Sequence, residues 1–218
     1  MAAGRRTTAR ADDEPLVLVG PPGRLRAVVT VANTGDRRLA VRSSTVRREG
    51  APDLPGLASG VVDPGATDSV PVTVALEPGT APGDYTAELE VAGVRRAVVL
   101  RVEPELAMHV SPRRVLAEPG TQTVTLVVRN EGNVDVPLAP VTRARTDDGG
   151  PDPGPDVTLT LRSPGTVPAA GSVTRTGRLD VPADLDPTRR HRASVPVGLA
   201  DLDVIVLARS TPAPEATP

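Results

Sequence analysis

The chain has 218 residues and a formal net charge of −2 at pH 7, with acidic and basic residues interspersed, which excludes a broad basic surface for nucleic acid. It contains no Cys, Trp or Phe and a single Tyr, Tyr85, so disulfide bonds, thiolate chemistry and an aromatic platform for stacking bases are excluded. The length suits two domains of about 100 residues each.

The N-terminal region predicts a disordered leader that runs directly into β structure. Residues 1–14 are polar and charged and have no apolar periodicity. The first apolar run, residues 16–19, is too short for the core of a signal peptide, and no segment has the length of a membrane span. We therefore expect a cytoplasmic protein without membrane insertion. Export by a route that the chain does not encode, and association with an exported assembly, stay open.

Alternating apolar and polar residues recur between Pro-Gly, Asn-x-Gly and Asp-Gly-Gly turns, and 25 Pro with 20 Gly argue against helices. In the first half we expect strands near residues 15–19, 24–33, 37–46, 57–62, 68–76, 84–91 and 94–102. In the second half we expect them near residues 105–110, 121–130, 134–143, 156–162, 172–181, 190–197 and 202–208. Seven short strands per half predict an all-β fold of two tandem immunoglobulin-like antiparallel β-sandwiches.

The two halves repeat one another. The segment GRLRAVVTVANTG at residues 23–35 returns 97 residues later, and residues 85–91 return 106 residues later. The increase from 97 to 106 places nine additional residues in the second half, within residues 146–155. The predicted organisation is listed by range: a leader at 1–14, a first sandwich at 15–103, a second sandwich at 104–208 and a disordered Pro/Ala-rich tail at 209–218.

The turns resemble those of a known group of domains. The first half contains NTG at residues 33–35, DPG at 63–65 and APGDY at 81–85. Together they resemble the bacterial immunoglobulin-like domains associated with alpha-galactosidases and the related cell-adhesion-type (CARDB) domains. The second half keeps NEG at residues 130–132 but has TRRH at 188–191 in place of the tyrosine motif. The resemblance implies accessory spacers, binding modules or assembly parts without catalytic residues.

Two Asx-x-Gly turns are candidates for structural sites. In each, Asn33 or Asn130 ends a strand and is followed two residues later by Gly35 or Gly132. An Asn side chain can bond the turn backbone, and Gly adopts positive φ without steric cost. We expect structural roles for all four residues.

Tyr85 and His191 occupy equivalent places in the repeat. Tyr85 stands where immunoglobulin-like domains keep a tyrosine corner, whose hydroxyl bonds a nearby backbone group. The alternative for Tyr85 is an aromatic ring that faces a ligand. For His191 we expect a packed neutral imidazole, with a pH-sensitive joint as the alternative.

An acidic segment of the second half is the weak metal candidate. Four carboxylates, Asp147, Asp148, Asp152 and Asp156, lie within ten residues of a Gly/Pro loop. Oxygen-rich loops can bind Ca²⁺, but the EF-hand spacing and its terminal Glu are missing. We expect a solvated mobile loop, with Ca²⁺ binding as the alternative. His109 and His191 match no zinc spacing.

No motif of catalysis occurs in the chain. Gly-x-Ser-x-Gly, His-Glu-x-x-His, a phosphate-binding loop and a dinucleotide fingerprint are all missing. We therefore expect no enzyme activity and no cofactor.

The sequence favours a non-catalytic protein–protein interaction or assembly module with an unidentified protein partner. Its contacts would come from exposed strand edges and from loops at the sandwich ends. The alternation places apolar Val28, Val99, Ile205 and Leu207 on outward faces, where they would add a modest docking surface. Two alternatives are an accessory carbohydrate- or surface-binding domain of an exported system and a structural component of a phage-like particle or secretion machine. Divergence between the repeats points to residues 143–165 as the place of a specific site.

Overall fold

The computed structural model describes residues 15–150 and 154–207, so the predicted leader at 1–14 and tail at 209–218 lie outside the described residues. The described chain contains strands and one 3-10 turn, Pro22–Arg24, and no α-helix. The predicted all-β class is therefore confirmed. Contacts divide the chain into two compact units, Met1–Glu105 and Leu106–Pro218.

The described part of the first unit is a closed barrel of seven strands. The strands are β1 (Leu16–Gly20), β2 (Leu25–Ala32), β3 (Leu39–Arg47), β4 (Leu54–Val62), β5 (Thr67–Val74), β6 (Gly83–Val91) and β7 (Val94–Val102). They pair in the order β1-β2-β5-β4-β3-β6-β7, and the parallel pair of β1 with β7 closes the ring. Each strand therefore has a neighbour on both sides for at least part of its length.

Alternation along the strands builds the core of this barrel. On β2, Leu25, Val29 and Val31 are buried while Arg26 and Val28 face solvent. The core consists of Val, Leu and Ala, each of which contributes through apolar area removed from water, at about 25 cal/mol per Å². The largest side chains that are fully buried are Leu18, Leu25, Leu89 and Leu100.

Small inward-facing residues on β4 allow the barrel to close. A Cβ atom at Gly60 would lie 2.9 Å from Cγ2 of Val70, and a Cβ atom at Gly56 would meet Oγ of Ser44. Ala58, between the two glycines, is buried. The small residues of β4, which pairs with both β3 and β5, therefore leave room for the inward side chains of Ser44 and Val70 on these neighbours.

In the described part of the second unit, ten strands form three sheets. The strands are β8 (Met108–Ser111), β9 (Arg114–Ala117), β10 (Gly120–Asn130), β11 (Val136–Leu138), β12 (Val141–Arg145), β13 (Asp156–Leu161), β14 (Gly165–Val167), β15 (Ser172–Val181), β16 (His191–Val197) and β17 (Ala200–Val206). One sheet has the order β12-β13-β15-β10-β8, another has the order β16-β17-β9, and β11 pairs with β14. The predicted layout of two seven-stranded sandwiches thus differs from the observed barrel and separate sheets.

The order of the strands nevertheless repeats between the units. The run β2-β5-β4-β3 reappears as β10-β15-β13-β12, and the pair β6-β7 reappears as β16-β17. In the first unit, β3 pairs with β6 over residues 44–47. In the second unit, the corresponding contact is one isolated bridge between Asp147, two residues past the end of β12, and Arg192 of β16. We call the line between β12 and β16 the open seam.

Pro196 provides a physical reason for the open seam. The N–H and C=O groups of Arg192 face the β12 side, because they bond the backbone of Asp147 at 2.9 and 2.7 Å. Along a β-strand, the N–H and C=O groups of every second residue point to the same side. The backbone of residue 196 therefore also faces β12, but a proline has no N–H to donate. Its counterpart in the repeat is Glu90, which pairs with Thr45 in the barrel. The replacement of Glu90 by Pro196 therefore removes a donor from this ladder.

The core of the second unit has bulkier residues on β13 than the first unit has on the corresponding strand β4. The strand β13, which corresponds to β4, turns Val157, Leu159 and Leu161 inward. Gly177 on the neighbouring β15 makes room for them, since a Cβ atom there would lie 2.9 Å from Cδ1 of Leu159. Arg175, on the same face of β15, is half-buried.

Prolines account for the strands that the sequence pattern misplaced. The single strand expected at residues 134–143 is divided into β11 and β12 on either side of Pro140. Two short strands, β9 and β14, were not predicted at all. Each lies between prolines and spans three or four residues, too few for alternation to identify.

The outward apolar residues divide into exposed and covered ones. Val28 is 59% exposed and Leu207 is 43% exposed, whereas Val99 is half-buried. The expectation for Ile205 is wrong, because this residue is 7% exposed. Ile205 lies in register between Arg192 of β16 and Leu116 of β9, and neighbouring side chains on one face of a sheet cover each other.

The turn between β6 and β7 stores backbone strain at Ala92. Its φ is 53° and that of Gly93 is 78°. Positive φ at both central residues is typical of a type I′ hairpin turn, which favours Asn-Gly. We expect Ala92→Asn to raise the free energy of unfolding by about 1 kcal/mol, because left-handed backbone costs most side chains about that much.

The matched variant Ala92→Val should lower stability, since a branched Cβ atom fits this conformation poorly. Chemical denaturation followed by circular dichroism measures both changes. Equal midpoints for the Asn and Val variants would show that the turn is not strained.

Candidate functional site

Asn33 fixes the turn after β2 by three hydrogen bonds. Its Nδ2 donates to the carbonyl oxygens of Arg37 and Val62 at 2.8 and 2.9 Å, and its Oδ1 accepts from the N–H of Gly35 at 3.1 Å. The side chain is buried. Its contacts lie within the first unit and join the turn to the end of β4.

Asn130 makes the same set of contacts in the second unit. Its Nδ2 donates to the carbonyl oxygen of Val134 at 2.8 Å and lies 3.2 Å from that of Pro168. Its Oδ1 accepts from the N–H of Gly132 at 3.0 Å. Neither Gly35 nor Gly132 adopts positive φ, so that part of the expectation is wrong.

Close approach explains why residue 35 is a glycine. A Cβ atom at Gly35 would lie 3.2 Å from Oδ1 of Asn33, within the contact that holds the turn. The two Asn residues are occupied by backbone groups and offer no free amide to a ligand.

Tyr85 also bonds a backbone group of its own unit. Its hydroxyl donates to the carbonyl oxygen of Ala81 at 2.8 Å, four residues upstream. The half-buried ring packs against the core of the barrel. This is the geometry of a tyrosine corner, and it holds the entry into β6.

His191 takes over this position in the second unit. The imidazole is buried, and its Nε2 lies 2.9 Å from the carbonyl oxygen of Asp186, five residues upstream. Because a carbonyl oxygen only accepts, Nε2 carries the proton and donates. The histidine therefore holds the entry into β16 as the tyrosine holds the entry into β6.

The described part of the acidic segment is attached to the start of β16. The backbone of Asp147 bonds that of Arg192 in both directions, and Oδ2 of Asp148 accepts from Nη1 of Arg189 at 2.8 Å. Nε of Arg189 also lies 3.5 Å from Asp186. The residues before 151 are therefore bonded to the start of β16 and to the segment before it, and the expectation of a solvated mobile loop stays a prediction. We call Asp148, Asp186 and Arg189 the clasp.

Electrostatics keep the acids of the clasp ionised. The pKa of Asp148 is lowered chiefly by its hydrogen bond from Arg189, and further by the backbone N–H of Gly150. The pKa of Asp186 is lowered chiefly by its hydrogen bonds from the hydroxyl and backbone N–H of Thr188. At neutral pH both carboxylates are charged and satisfied by groups of the same chain.

Of the four candidate calcium ligands, the three that the structure describes are not brought together as a site. Oδ1 of Asp147 accepts from the N–H of Gly149. At the start of β13, Oδ1 of Asp156 lies 4.0 Å from Nε of Arg145. Asp152 lies outside the described residues. Within residues 15–150 and 154–207, no group of three or more His, Asp or Glu is arranged to hold a metal ion.

The other histidine of the chain, His109, contacts a glutamate rather than the acidic segment. His109 is exposed on β8, and its Nε2 lies 3.0 Å from Oε2 of Glu131. The features that sequence reasoning missed are the open seam and the clasp beside it. The signal for the seam was the proline that stands at residue 196 where the first repeat has Glu90.

The described chain shows no helix with the length and apolar character needed to cross a membrane.

No family model matches the chain, and no curated protein matches it. Among solved structures, the CupB2 chaperone of Pseudomonas aeruginosa is 13% identical over 83% of this chain and 90% of that chain, with a TM-score of 0.28. Domains 4 and 5 of the S-layer protein SbsC are 19% identical over 63% and 69%, with a TM-score of 0.31. The CsuC–CsuE chaperone–tip adhesion subunit complex from Csu pili of Acinetobacter baumannii is 11% identical over 90% and 95%, with a TM-score of 0.22. TM-scores this low assign the chain to no family.

Two predictions are corrected by these comparisons. The resemblance to alpha-galactosidase-associated and CARDB-type domains is wrong, because no family model matches and the structures named above are chaperones and domains of an S-layer protein. The expectation of a cytoplasmic location is corrected too, because the matching structures include domains of an S-layer protein and a chaperone–tip adhesion subunit complex from Csu pili. The prediction that the chain is not an enzyme agrees with these matches.

Removal of the tyrosine hydroxyl tests the corner in the first unit. We expect Tyr85→Phe to lower the free energy of unfolding by about 1 kcal/mol through loss of the bond to Ala81. Tyr85→Leu, which also removes the ring, should cost more. Chemical denaturation measures both, and an unchanged midpoint for Tyr85→Phe would reject the corner assignment.

Removal of the cation tests the clasp in the second unit. In Arg189→Gln we expect the pKa of Asp148 to rise toward its ordinary value of 3.8. In the native chain the lowered pKa means that this carboxylate stabilises the fold above pH 3.8, and that the contribution is lost as the pH falls through the lower folded value. The variant should lose this acid dependence.

Carboxyl ¹³C resonances recorded during a pH titration report the change. Arg190→Gln is the matched control, because Arg190 is exposed and makes no ion pair with the described residues. An equal rise in both variants, or no rise in Arg189→Gln, would show that Arg189 does not set the charge of Asp148.

Proposed function

We propose that the chain is a non-catalytic protein-binding or assembly module made of two immunoglobulin-like domains. The observation that carries the proposal is the interrupted pairing of the second unit. Strand edges with unpaired backbone groups bind extended segments of other chains, and the barrel of the first unit leaves fewer such edges. In this account the first unit is the closed scaffold and the second unit carries the contacts.

Exposed apolar side chains support the same role. On the outer face of the barrel, Val28, Leu57 and Val61 are 59%, 73% and 57% exposed on strands β2 and β4. The strand β5 lies between these two strands and presents exposed Pro71 on the same face. Exposed apolar side chains gathered on neighbouring strands are typical of surfaces that contact another protein.

The carbohydrate-binding alternative is disfavoured by the single aromatic ring. Sugar-binding platforms use the open face of an aromatic side chain, and the chain has only Tyr85. That ring is half-buried and its hydroxyl is bound to Ala81. A half-buried ring with its hydroxyl engaged in this way is a poor platform for a sugar.

Affinity capture with the intact chain tests this proposal. The immobilised protein should retain at least one protein from native lysate, and the purified pair should form a complex of defined stoichiometry by analytical ultracentrifugation. The same column should pass soluble polysaccharides. Retention of polysaccharide without any protein complex would overturn the proposal in favour of a carbohydrate-binding module.

A further inference from the structure

The outer face of the barrel over strands β2, β5, β4 and β3 carries exposed apolar side chains. Val28 of β2 lies in register with Pro71 of β5, and both residues are exposed. On β4, the exposed apolar residues include Leu57 and Val61. We call these four residues the apolar patch.

Two arginines stand on opposite sides of the apolar patch. Arg26 of β2 lies in register with Thr73 of β5, which is also in register with Leu57 of β4. Leu57 in turn lies in register with Ser43 of β3, the chain neighbour of Arg42. Three strand spacings of about 4.8 Å each separate the two ends of this row, so the backbones of Arg26 and Ser43 lie about 14 Å apart along the sheet.

A β-bulge directs Arg42 to the outer face. The register of β3 with β4 shifts between Val41 and Ser43. Val41 and Ser44 are both buried, whereas Arg42 and Ser43 between them are both exposed. A bulge inserts one additional residue into a strand, and here the two exposed residues of the bulge both face outward, beside the apolar patch.

This face carries positive charge without negative charge. In the described strands, the outward positions of β2, β5 and β4, and of β3 as far as Thr45, contain Arg26 and Arg42 but no Asp or Glu. Asp68 of β5 lies in register with buried Val31 and therefore belongs to the opposite side of its strand. Neither arginine forms an ion pair with the described residues.

Elsewhere on the barrel, arginines are matched by carboxylates of the chain itself. Nε of Arg47 lies 3.0 Å from Oδ2 of Asp53. Nη2 of Arg101 lies 2.9 Å from Oδ2 of Asp84. The two arginines beside the apolar patch differ from these, because their charges have no counterpart among the described residues. A partner of opposite charge is what complements them.

We infer that this face binds an acidic protein partner, whose apolar side chains cover the patch and whose flanking carboxylates pair with Arg26 and Arg42. Apolar groups at the centre and charged groups at the rim are the usual arrangement of a protein–protein contact, and the rim charges select a partner of opposite sign. The inference rests on the proposed function, and it adds a side-chain contact on the first unit to the contacts of the second unit.

A second copy of the chain and a lipid surface fit this face less well. Two copies joined face to face by a two-fold axis present the same residues to each other, so arginines meet arginines, and like charges across a contact disfavour it. Recognition of anionic lipid uses clusters of about four to eight Lys or Arg, and Trp or Tyr anchors the membrane interface. The outward positions of these described strands have two arginines and no aromatic residue.

The probe for this face is an acetylated and amidated heptapeptide, Glu-Thr-Leu-Thr-Leu-Thr-Glu, titrated into the ¹⁵N-labelled intact chain. In an extended peptide its Leu and Glu side chains lie on one side. We expect concentration-dependent shifts of the amide resonances of Val28, Leu57 and Val61. The matched peptide with Lys in place of Glu should bind about tenfold more weakly, because two exposed charge pairs change from attraction to repulsion. Absence of shifts with the Glu peptide, or equal affinity of the two peptides, would overturn the inference.

Charge reversal on the protein tests the two arginines. The double variant Arg26→Glu/Arg42→Glu should prefer the Lys peptide to the Glu peptide. The control is Arg113→Glu/Arg190→Glu in the second unit, which changes the net charge equally at exposed residues without ion pairs to the described residues. It should keep the preference of the native chain. The same change of preference in both double variants would show that net charge, and not this face, selects the peptide.

Sedimentation tests the other two occupants. A concentration-dependent dimer that dissociates in Leu57→Asp would assign the face to a second copy of the chain. Co-sedimentation with phosphatidylglycerol vesicles that is lost in Arg26→Glu/Arg42→Glu would assign it to a lipid surface. Either result would overturn the inference.

The charge-reversed variant also separates this inference from the proposed function. If a protein captured from lysate binds the native chain and Arg26→Glu/Arg42→Glu equally well, this face is not its site and the inference fails, while the protein-binding role stands. If the native chain forms no protein complex at all, the proposed function fails and the inference fails with it.

Discussion

Pairing of backbone N–H and C=O groups between strands is the constraint on which both units depend. A β fold without helices must satisfy these groups at the edges of its sheets or leave them to solvent and to partners. The first unit satisfies it by closure, with β4 bridging β3 and β5 through small residues and β1 joining β7. The second unit repeats the strand order but has one bridge where the first has a ladder.

The two copies of the repeated pattern keep some interactions and differ in others. The interactions that hold each turn are kept, since Asn33 and Asn130 make equivalent bonds and His191 replaces the hydroxyl of Tyr85 with a ring nitrogen. The two units differ in the pairing of β3 with β6, which β12 and β16 lack, and in the acidic segment that bonds the start of β16 in the second unit. The second unit therefore carries both the interrupted pairing and the charged clasp, and this is why the proposed binding function is assigned to it.

Local patterns predicted most of the fold and little of the site. Alternation located β2, β5, β6 and β7 within a few residues, because a half-buried strand has a period of two in its own sequence. The open seam could not be predicted in this way, since it depends on which strand lies beside Pro196. The contacts of Asp148 with Arg189 join residues 41 positions apart, a distance that no local pattern reports. The family resemblance failed because turn residues such as Asn-x-Gly are shared by many unrelated β folds.

Amide hydrogen exchange along β12 and β3 of the intact chain tests the open seam most directly. In β12, Thr142 and Ala144 bond β13, whereas Arg143 and Arg145 face the seam, so we expect slow and fast exchange to alternate. In β3, Ser44, Thr45 and Val46 pair on both sides and should all exchange slowly. Uniformly slow exchange through residues 142–145 would show that β12 and β16 are paired in solution and would contradict the account.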